Sequence, residues 1–423
     1  MSNHTSGNSI TPYPFLRRNY WAHNIEGGFF MGALPFISLD VVMPKLVQNL
    51  GGNDLMIALT PVSMMLGFMT PPLLIAHLVE RVDHYKPICM WTGMIQRGAF
   101  GVAGLILYFF ADDTPSLGLA AVLLAPYLSG IAGGVSMTAW MELVAKVIPT
   151  TKLSSSSAIR NVIGGMMGFI AGYVIKLTLE NFPGYQGYGI LFFITFVLTT
   201  ISYILFAQIR EPPTQRSDRP KPRTLASNIR NLPGFLKKEV QLRRFIVMGV
   251  LSTGMFIIMP FMGIHALNVT GQNDSFLGEL VSLQMVGSML GNLTGGYMGD
   301  RWGGKSTLVL ARILLITAAI GMIFNTSEWG FRLLFCVQGF AFWLNQVGRL
   351  TMNIEICPPD RRPTFIAIMS MLTGIGMLTC SGISSWLMSS FNDFTIVASV
   401  SCALLLLAIL ELLRIHEPRK ANT

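Results

Sequence analysis

The sequence predicts an all-α polytopic membrane protein of twelve transmembrane helices in two pseudo-symmetric bundles of six, on three observations. Of its 423 residues 52% are apolar and only 12% are charged, a balance that would cover a soluble domain of this length with apolar patches, so lipid is the solvent. Twelve apolar runs of spanning length, six on each side of one basic break, use up almost the whole chain. Residue patterns of the first six runs recur in the second six.

The runs predict helices near 20–46, 55–78, 88–111, 115–147, 154–179 and 186–209, then 244–269, 276–298, 306–326, 329–356, 363–389 and 393–415. The first keeps its place as a span because Glu26 and Asp40 interrupt it and it is too long for a cleavable signal. The organisation is then a tail over 1–19, an N-terminal bundle over 20–209, a linker over 210–243, a C-terminal bundle over 244–415 and a tail over 416–423. The linker mixes Pro212, Pro213, Pro220, Pro222 and Pro233 with Arg216, Arg219, Lys221, Arg223, Arg230, Lys237 and Lys238, a hydrated composition. Within it Leu225, Ile229, Leu232 and Leu236 recur at helical spacing, so a short interfacial helix and an ordinary solvated linker both fit.

Orientation follows from charge. One set of connections carries Arg17/Arg18, Arg81/Lys86, Lys146/Lys152, the linker cluster, Arg301/Lys305, Arg361/Arg362 and Arg414/Arg419/Lys420. The alternate set carries Lys45, Lys176 and Arg332 among acids such as Asp54, Asp112, Asp113, Asp274 and Asp393. Cytoplasmic loops hold the excess of Lys and Arg, so both termini and the linker are expected in the cytoplasm of a multi-pass plasma membrane protein, the inner membrane if the cell is bacterial. The net charge of +9 thus reports membrane orientation, and no nucleic-acid partner is expected because no basic patch with interleaved aromatics exists.

The two halves echo each other at an offset of roughly 210 to 225 residues. Ala76-His77-Leu78-Val79-Glu80-Arg81-Val82-Asp83-His84-Tyr85-Lys86 follows the second run, and Gly296-Tyr297-Met298-Gly299-Asp300-Arg301-Trp302-Gly303-Gly304-Lys305 follows the eighth. Trp140-Met141-Glu142 is echoed by Asn353-Ile354-Glu355, and Gly164 and Gly172 by Gly374 and Gly382. The stretch Gly296-x-x-x-Asp300-Arg301-x-Gly303-x-Lys305 resembles the loop signature of the major facilitator superfamily, which lies between helices two and three and again between eight and nine, where both copies fall here. The first copy departs from it, with Ala76 for the first glycine, Glu80 for the acid and Asp83 for a glycine. The resemblance implies a transporter working by alternating access. It also implies a cytoplasmic gate in which Glu80, Arg81, Asp300, Arg301 and Lys305 latch helix ends, with Glu142 and Glu355 pairing nearby bases.

Gly299-Asp300-Arg301-Trp302-Gly303-Gly304-Lys305-Ser306 also fits the phosphate-loop pattern GxxxxGK[ST]. It follows a membrane-length apolar run instead of a strand and puts Asp300 where phosphate would lie, so no nucleotide is expected.

Polar side chains on the runs are the candidates for chemistry. Glu26 stands about eight residues, or ~12 Å, inside the boundary marked by Arg17/Arg18. It is either a proton-coupling carboxylate or an interfacial one paired to Arg160; desolvation raises a carboxyl pKa toward neutrality, which is the chemistry a proton exchange needs. Asp40, 14 residues on, returns to within ~40° of the same helix face. It is an outer-gate candidate or a solvated helix end beside Lys45. Trp343, Asn345, Gln346 and Arg349 near mid-depth of the tenth run, and Gln284 and Asn292 on one face of the eighth, are candidates for lining a solute cavity or for hydrogen bonds between helices. The resemblance makes the third helix peripheral, so a buried partner is expected for Arg97, and Arg312 is expected to snorkel to the inner face. His265 is read as a polar contact. Gly164, Gly168 and Gly172 form a stripe that permits close helix approach.

Enzyme signatures of the HExxH and GxSxG kind are missing, and the five cysteines show no ligand spacing. No metal, cofactor or catalytic group is expected, and the cysteines read as small core residues. The expected function is secondary active transport of a small solute coupled to protons, by a monomer in the bilayer. A facilitative uniporter and a non-transporting sensor are the alternatives.

Overall fold

The computed structural model describes residues 15–69, 71, 84–212, 240–357 and 362–416. Glu80, Arg81, Arg361 and most of the linker and of both tails lie outside the described residues. The described residues form twelve helical spans. The first, α1, has two segments, Leu16–Ala33 and Val42–Asn49, separated by the 3-10 turn Leu34–Phe36. It is followed by α2 (Asp54–Met69), α3 (Lys86–Phe109), α4 (Pro115–Val147), α5 (Leu153–Asn181) and α6 (Tyr185–Ala207). In the second half α7 joins Val240–Leu251 to Met255–Thr270 through the 3-10 turn Ser252–Gly254. One helical run of 49 residues, Phe276–Phe324, then turns at Gly303 to give α8 before the bend and α9 after it. α10 (Glu328–Ile356), α11 (Arg362–Phe391) and α12 (Phe394–Leu413) complete the chain.

At ~1.5 Å per residue the 49-residue run would be about 74 Å long if straight, more than twice the ~30 Å of a hydrocarbon core. It therefore has to fold back. Gly303 does this with φ 84° and ψ 169°, a conformation barred to residues with a Cβ. The glycine of the loop signature is thus the hinge that sends the chain back across the bilayer.

Seven of the described helices are long and apolar enough to cross a membrane. α1, α3 and α10 are not among them, and each carries buried polar groups: Glu26, Arg97 and Asn345. Large apolar side chains such as Trp91, Leu293, Phe324, Trp329 and Leu333 point outward with well over half their surface exposed, as expected where lipid replaces water. The cysteines are free; Cys89, Cys357, Cys380 and Cys402 are buried and Cys336 half-buried.

Two ends of the bundle can be told apart. The basic end holds the start of α1, the Gly303 bend and the end of α12, and the far end holds the α1–α2, α5–α6 and α7–α8 connections. Toward the far end a continuous apolar cluster joins Ile37, Val41 and Met43 of the first half to Phe256, Met262, Leu277 and Val281 of the second. The glycine stripe of α5 lies on the same seam. A Cβ at Gly172 would come within 2.5 Å of the backbone N of Ser282, so the seam between α5 and α8 requires that glycine, whereas at Gly168 the nearest atom, 2.9 Å away, belongs to the flexible Met285 side chain.

The break in α1 corrects the helical-wheel placement of Asp40. Pro35 has no N–H to continue the α-helical ladder, and the chain turns through Ile37–Val41 before resuming. The 100° per residue that would align Asp40 with Glu26 does not run through residues 34–41.

Candidate functional site

Glu26 is 4% exposed and belongs to a chain of polar groups inside the N-terminal bundle. Ser202 Oγ of α6 donates to Glu26 Oε2 at 3.3 Å, and Arg97 Nη2 of α3 reaches the same Ser202 Oγ at 3.5 Å. His23 Nδ1 stands 3.7 Å from Glu26 Oε1. On the other side of the ring Arg160 Nη1 of α5 lies 3.0 Å from His23 Nε2. A guanidinium has only donors, so Nε2 accepts and the imidazole proton sits on Nδ1, facing Glu26. Arg160 stacks over Trp140 of α4 at 5.1 Å and lies across Gly27, in the space a Cβ there would occupy. Asn24 accepts from Ser156 Oγ beside it. Among the described residues Arg160 Nε and His23 Nδ1 have no hydrogen-bond partner although both are buried. Glu26, Arg97, Arg160, Gln96, Trp140 and Tyr203 line a cavity of about 250 Å³.

Arg97 gives its remaining donors to Thr199 O at 2.7 Å, Gly93 O at 2.9 Å and Gln96 Oε1 at 3.4 Å, with the Phe30 and Tyr203 rings 5.5 and 5.2 Å away. It shares Ser202 with Glu26 and faces the same cavity, so the third helix contributes directly to this polar cluster and is not peripheral to it. His23, hidden in a polar run near the start of α1, was the residue that pattern alone did not single out.

Between the halves lies a larger cavity of about 430 Å³, lined by Asp40, Asn161, Gly164, Ser288, Asn292 and Trp343 among apolar groups. It shares Phe30 and Met31 with the Glu26 cavity, and Asp40, Ser288 and Trp343 with a third of about 170 Å³ that includes Gln284. Gln284 Nε2 donates to Asp40 Oδ2 at 2.6 Å and to Gln338 Oε1 at 2.8 Å, and Asp40 also accepts from Ser38 Oγ at 2.9 Å. Asp40 is therefore a bonded part of the wall between α1 and α8, not a solvated end. Asn345, Gln346 and Arg349 face a different pocket of the C-terminal bundle, together with Arg312. The cavity candidates thus divide between two places: Gln284, Asn292 and Trp343 on the cleft, and Asn345, Gln346 and Arg349 behind it.

Arg312 does not snorkel. It is 2% exposed, and gives Nε and Nη2 to Ser252 Oγ at 3.2 and 2.7 Å, Nη1 to Leu308 O at 2.9 Å and Nη2 to Met248 Sδ at 2.7 Å. The 3-10 turn in α7 offers Ser252 as a nearer acceptor than the interface. His265 rests on a polar contact, Nε2 to Met322 O at 3.1 Å, and stacks on Phe394 at 3.8 Å.

At the far end charged side chains tie the halves together. Glu279 of α8 accepts from Lys176 Nζ of α5 at 2.7 Å and from Arg332 Nε of α10 at 2.6 Å, and Arg332 also pairs with Glu328 at 3.2 Å. Asp274 Oδ2 accepts from Tyr188 OH at 2.6 Å and Asn49 Nδ2 at 2.8 Å, both from the first half. Sequence had marked Lys176 and Arg332 only as exceptions to a charge rule; their pairing with one carboxylate on a third helix has no local signature.

At the basic end Arg301 Nη1 donates to Tyr297 OH at 2.7 Å, Lys305 Nζ donates to Ile415 O at 2.6 Å, and Glu355 accepts from Gly304 N at 3.1 Å. Asp300 and Glu142 are exposed. In the first half a residue outside the motif, Glu211, accepts from the backbone N–H of Tyr85 at 3.0 Å and of Lys86 at 2.9 Å, and from Lys146 Nζ at 2.9 Å. A carboxylate at the start of α3 meets its orphan N–H groups and its dipole together. Among the described residues no group of three or more His, Cys, Asp or Glu could hold a metal ion.

Residues 244–423 match the family model of the Major Facilitator Superfamily. The multidrug resistance protein MdtH of Cronobacter sakazakii is 26% identical over 155 residues, 36% of this chain and 38% of that protein. An uncharacterized MFS-type transporter, YbcL of Bacillus subtilis, is 25% identical over 222 residues, 52% of this chain and 53% of that protein. The chain thus matches little more than a third to a half of the length of these relatives. Whole-chain similarity lies in the fold. A point mutant of the nucleoside transporter NupG superposes with a TM-score of 0.74 at 14% identity, covering 94% of this chain and 100% of that one. A D-xylose-proton symporter superposes with a TM-score of 0.70 at 13% identity, covering 97% and 100%. With twelve spans, a bend glycine inside the loop signature and a matching family model over residues 244–423, the chain is similar to transporters of the major facilitator superfamily and shares their fold.

Proposed function

We propose that the protein is a secondary active transporter that moves a small solute through the cleft between its halves by alternating access, and that Glu26 couples this movement to protons. The observation that carries the coupling is the chain Arg97–Ser202–Glu26–His23–Arg160, which holds two buried atoms without a hydrogen-bond partner among the described residues, His23 Nδ1 and Arg160 Nε, and borders the 250 Å³ cavity adjoining the cleft. An ionisable group at membrane depth is costly unless it works, and two guanidiniums and an imidazole N–H beside Glu26 compensate its charge when it gives up its proton.

With the basic end in the cytoplasm by the excess of Lys and Arg, the bridges through Glu279 and Asp274 make this a state closed to the outside. Rocking the halves apart at that end requires those bonds to break and the seam of Gly172 on α8 to part. Asp40 with Gln284 forms the inner layer of the same closure. At the basic end Asp300, Arg301, Lys305, Glu142 and Glu355 belong to the opposite gate.

Uptake into proteoliposomes under an imposed pH gradient, with a mixed metabolite and drug pool, tests this. The expected result is accumulation in wild type that depends on the gradient, with Glu26→Gln abolishing accumulation while retaining exchange. Unchanged accumulation in Glu26→Gln would make Glu26 structural and remove the coupling. Exchange without accumulation in wild type would make the protein a uniporter, and no movement by folded protein would favour a sensor.

A further inference from the structure

The two halves differ in how they compensate the arginines that line their inner cavities. In the N-terminal bundle Arg97 and Arg160 share a cavity with a carboxylate, Glu26. In the C-terminal bundle Arg312 and Arg349 share a pocket with the amides Asn345 and Gln346, the hydroxyls Ser252 and Thr253, and methionines. No Asp or Glu lines it among the described residues. The acceptors of Arg312 are all neutral: a hydroxyl, a backbone carbonyl and a thioether. Arg349 makes no hydrogen bond or ion pair among the described residues and stands close enough to Arg312 for their charges to repel. Two like charges inside a membrane protein without a counter-charge are costly, and an anion between them would offset that cost.

We propose that this pocket binds the anionic head of the transported solute, so that the solute is a small organic anion carrying a carboxylate or phosphate group. The inference rests on the transport reading and narrows its substrate class. The uncommitted planar fork of Arg349 suits two oxygens of one head, the charge of Arg312 adds attraction, and Asn345 and Gln346 supply further neutral donors. In this state the pocket has room for about 20 Å³, close to one water, and it shares Met65 and Phe256 with the 170 Å³ chamber of the cleft. Met65, Met248 and Met369 form much of its wall, and unbranched thioether chains can rotate aside to admit a head group. The apolar remainder of the cleft would hold the body of the solute.

The test is thermal stabilisation of the purified full-length protein, in neutral detergent, by succinate and by sn-glycerol 3-phosphate, with succinamide and glycerol as uncharged counterparts. At least one anion should stabilise wild type while its uncharged counterpart does not. Arg349→Gln should weaken that binding about 10- to 100-fold, the loss expected for a charged hydrogen-bonded contact, and Arg349→Lys should recover part of it. Arg312 is too deeply packed to serve as the primary variant, so Arg349 carries the test. Equal stabilisation by charged and uncharged compounds, no stabilisation by any of them, or equal binding to Arg349→Gln would overturn the proposal. Phosphatidylglycerol reproducing the Arg349-dependent shift while both soluble anions fail would assign the pocket to a lipid head and also overturn it. Arg349-dependent anion binding without uptake in liposomes would refute the transport reading and leave the site standing. Uptake of a neutral or cationic solute, with no anion binding, would do the reverse.

Discussion

Lys176→Gln isolates an ion pair that joins the halves at the far end. Lys176 Nζ reaches Glu279 at 2.7 Å across the seam, and Glu279 keeps Arg332 at 2.6 Å when the lysine is lost, so no carboxylate is left unpaired. The alternative partner of Lys176, Glu180 at 3.9 Å, is on its own helix. The lysine side chain is 35% exposed and Glu279 24%, which places the contact near the upper limit for an exposed pair, about 1 kcal/mol once solvent screening is allowed for. That is a ~5-fold shift of the closed-to-open equilibrium toward opening at the far end. Nitroxide labels at Asn181 and Val269, both exposed near the far end on opposite halves, report the separation by pulsed electron spectroscopy. The open fraction should rise about fivefold in Lys176→Gln, and the difference should shrink in high salt. Lys45→Gln is the control, since among the described residues Lys45 bonds only to Gln48 of its own segment. An unchanged distance distribution in Lys176→Gln, or an equal shift in Lys45→Gln, would refute the assignment of this pair as a gate.

Three further outcomes follow from the same geometry. Asp274→Ala removes bonds to both Tyr188 and Asn49; combined with Lys176→Gln the two losses should add to roughly 2 kcal/mol, because they are separate contacts, and a sub-additive open fraction in the same label pair would show one shared latch. Arg97→Met should lower stability by roughly 3 kcal/mol, and in a double-mutant cycle with Glu26→Gln the thermal shifts should be strongly non-additive; simple additivity would show that Ser202 does not link them. Gly303→Ala forces a Cβ into φ 84° and should cost ~1–2 kcal/mol, seen as a lower melting temperature, while Gly296→Ala, with nothing within 4 Å of its Cβ position, should melt near wild type.

Sequence alone determined the solvent, the number of spans and the resemblance to one transporter family, because each depends on composition and spacing along the chain. It also marked Glu26 as the exceptional group of α1 and Gly303 as part of a turn, since a carboxylate in an apolar run and a glycine in a charged loop stand out locally. It misplaced Asp40 because a wheel drawn through Pro35 assumes a helix that the missing N–H interrupts. It sent Arg312 to the interface because snorkelling is the default for a lone arginine, and nothing near it in the chain indicates Ser252, which lies 60 residues away in the 3-10 turn of α7. His23, Glu211 and the Lys176–Glu279–Arg332 cluster were invisible for the same reason: the partners meet across separations of 53 to 137 residues. Burial and ion pairing between distant helices are properties of how the spans pack, so only the tertiary structure decided which polar groups share a cavity, which close the far end, and which arginines are left without a counter-charge.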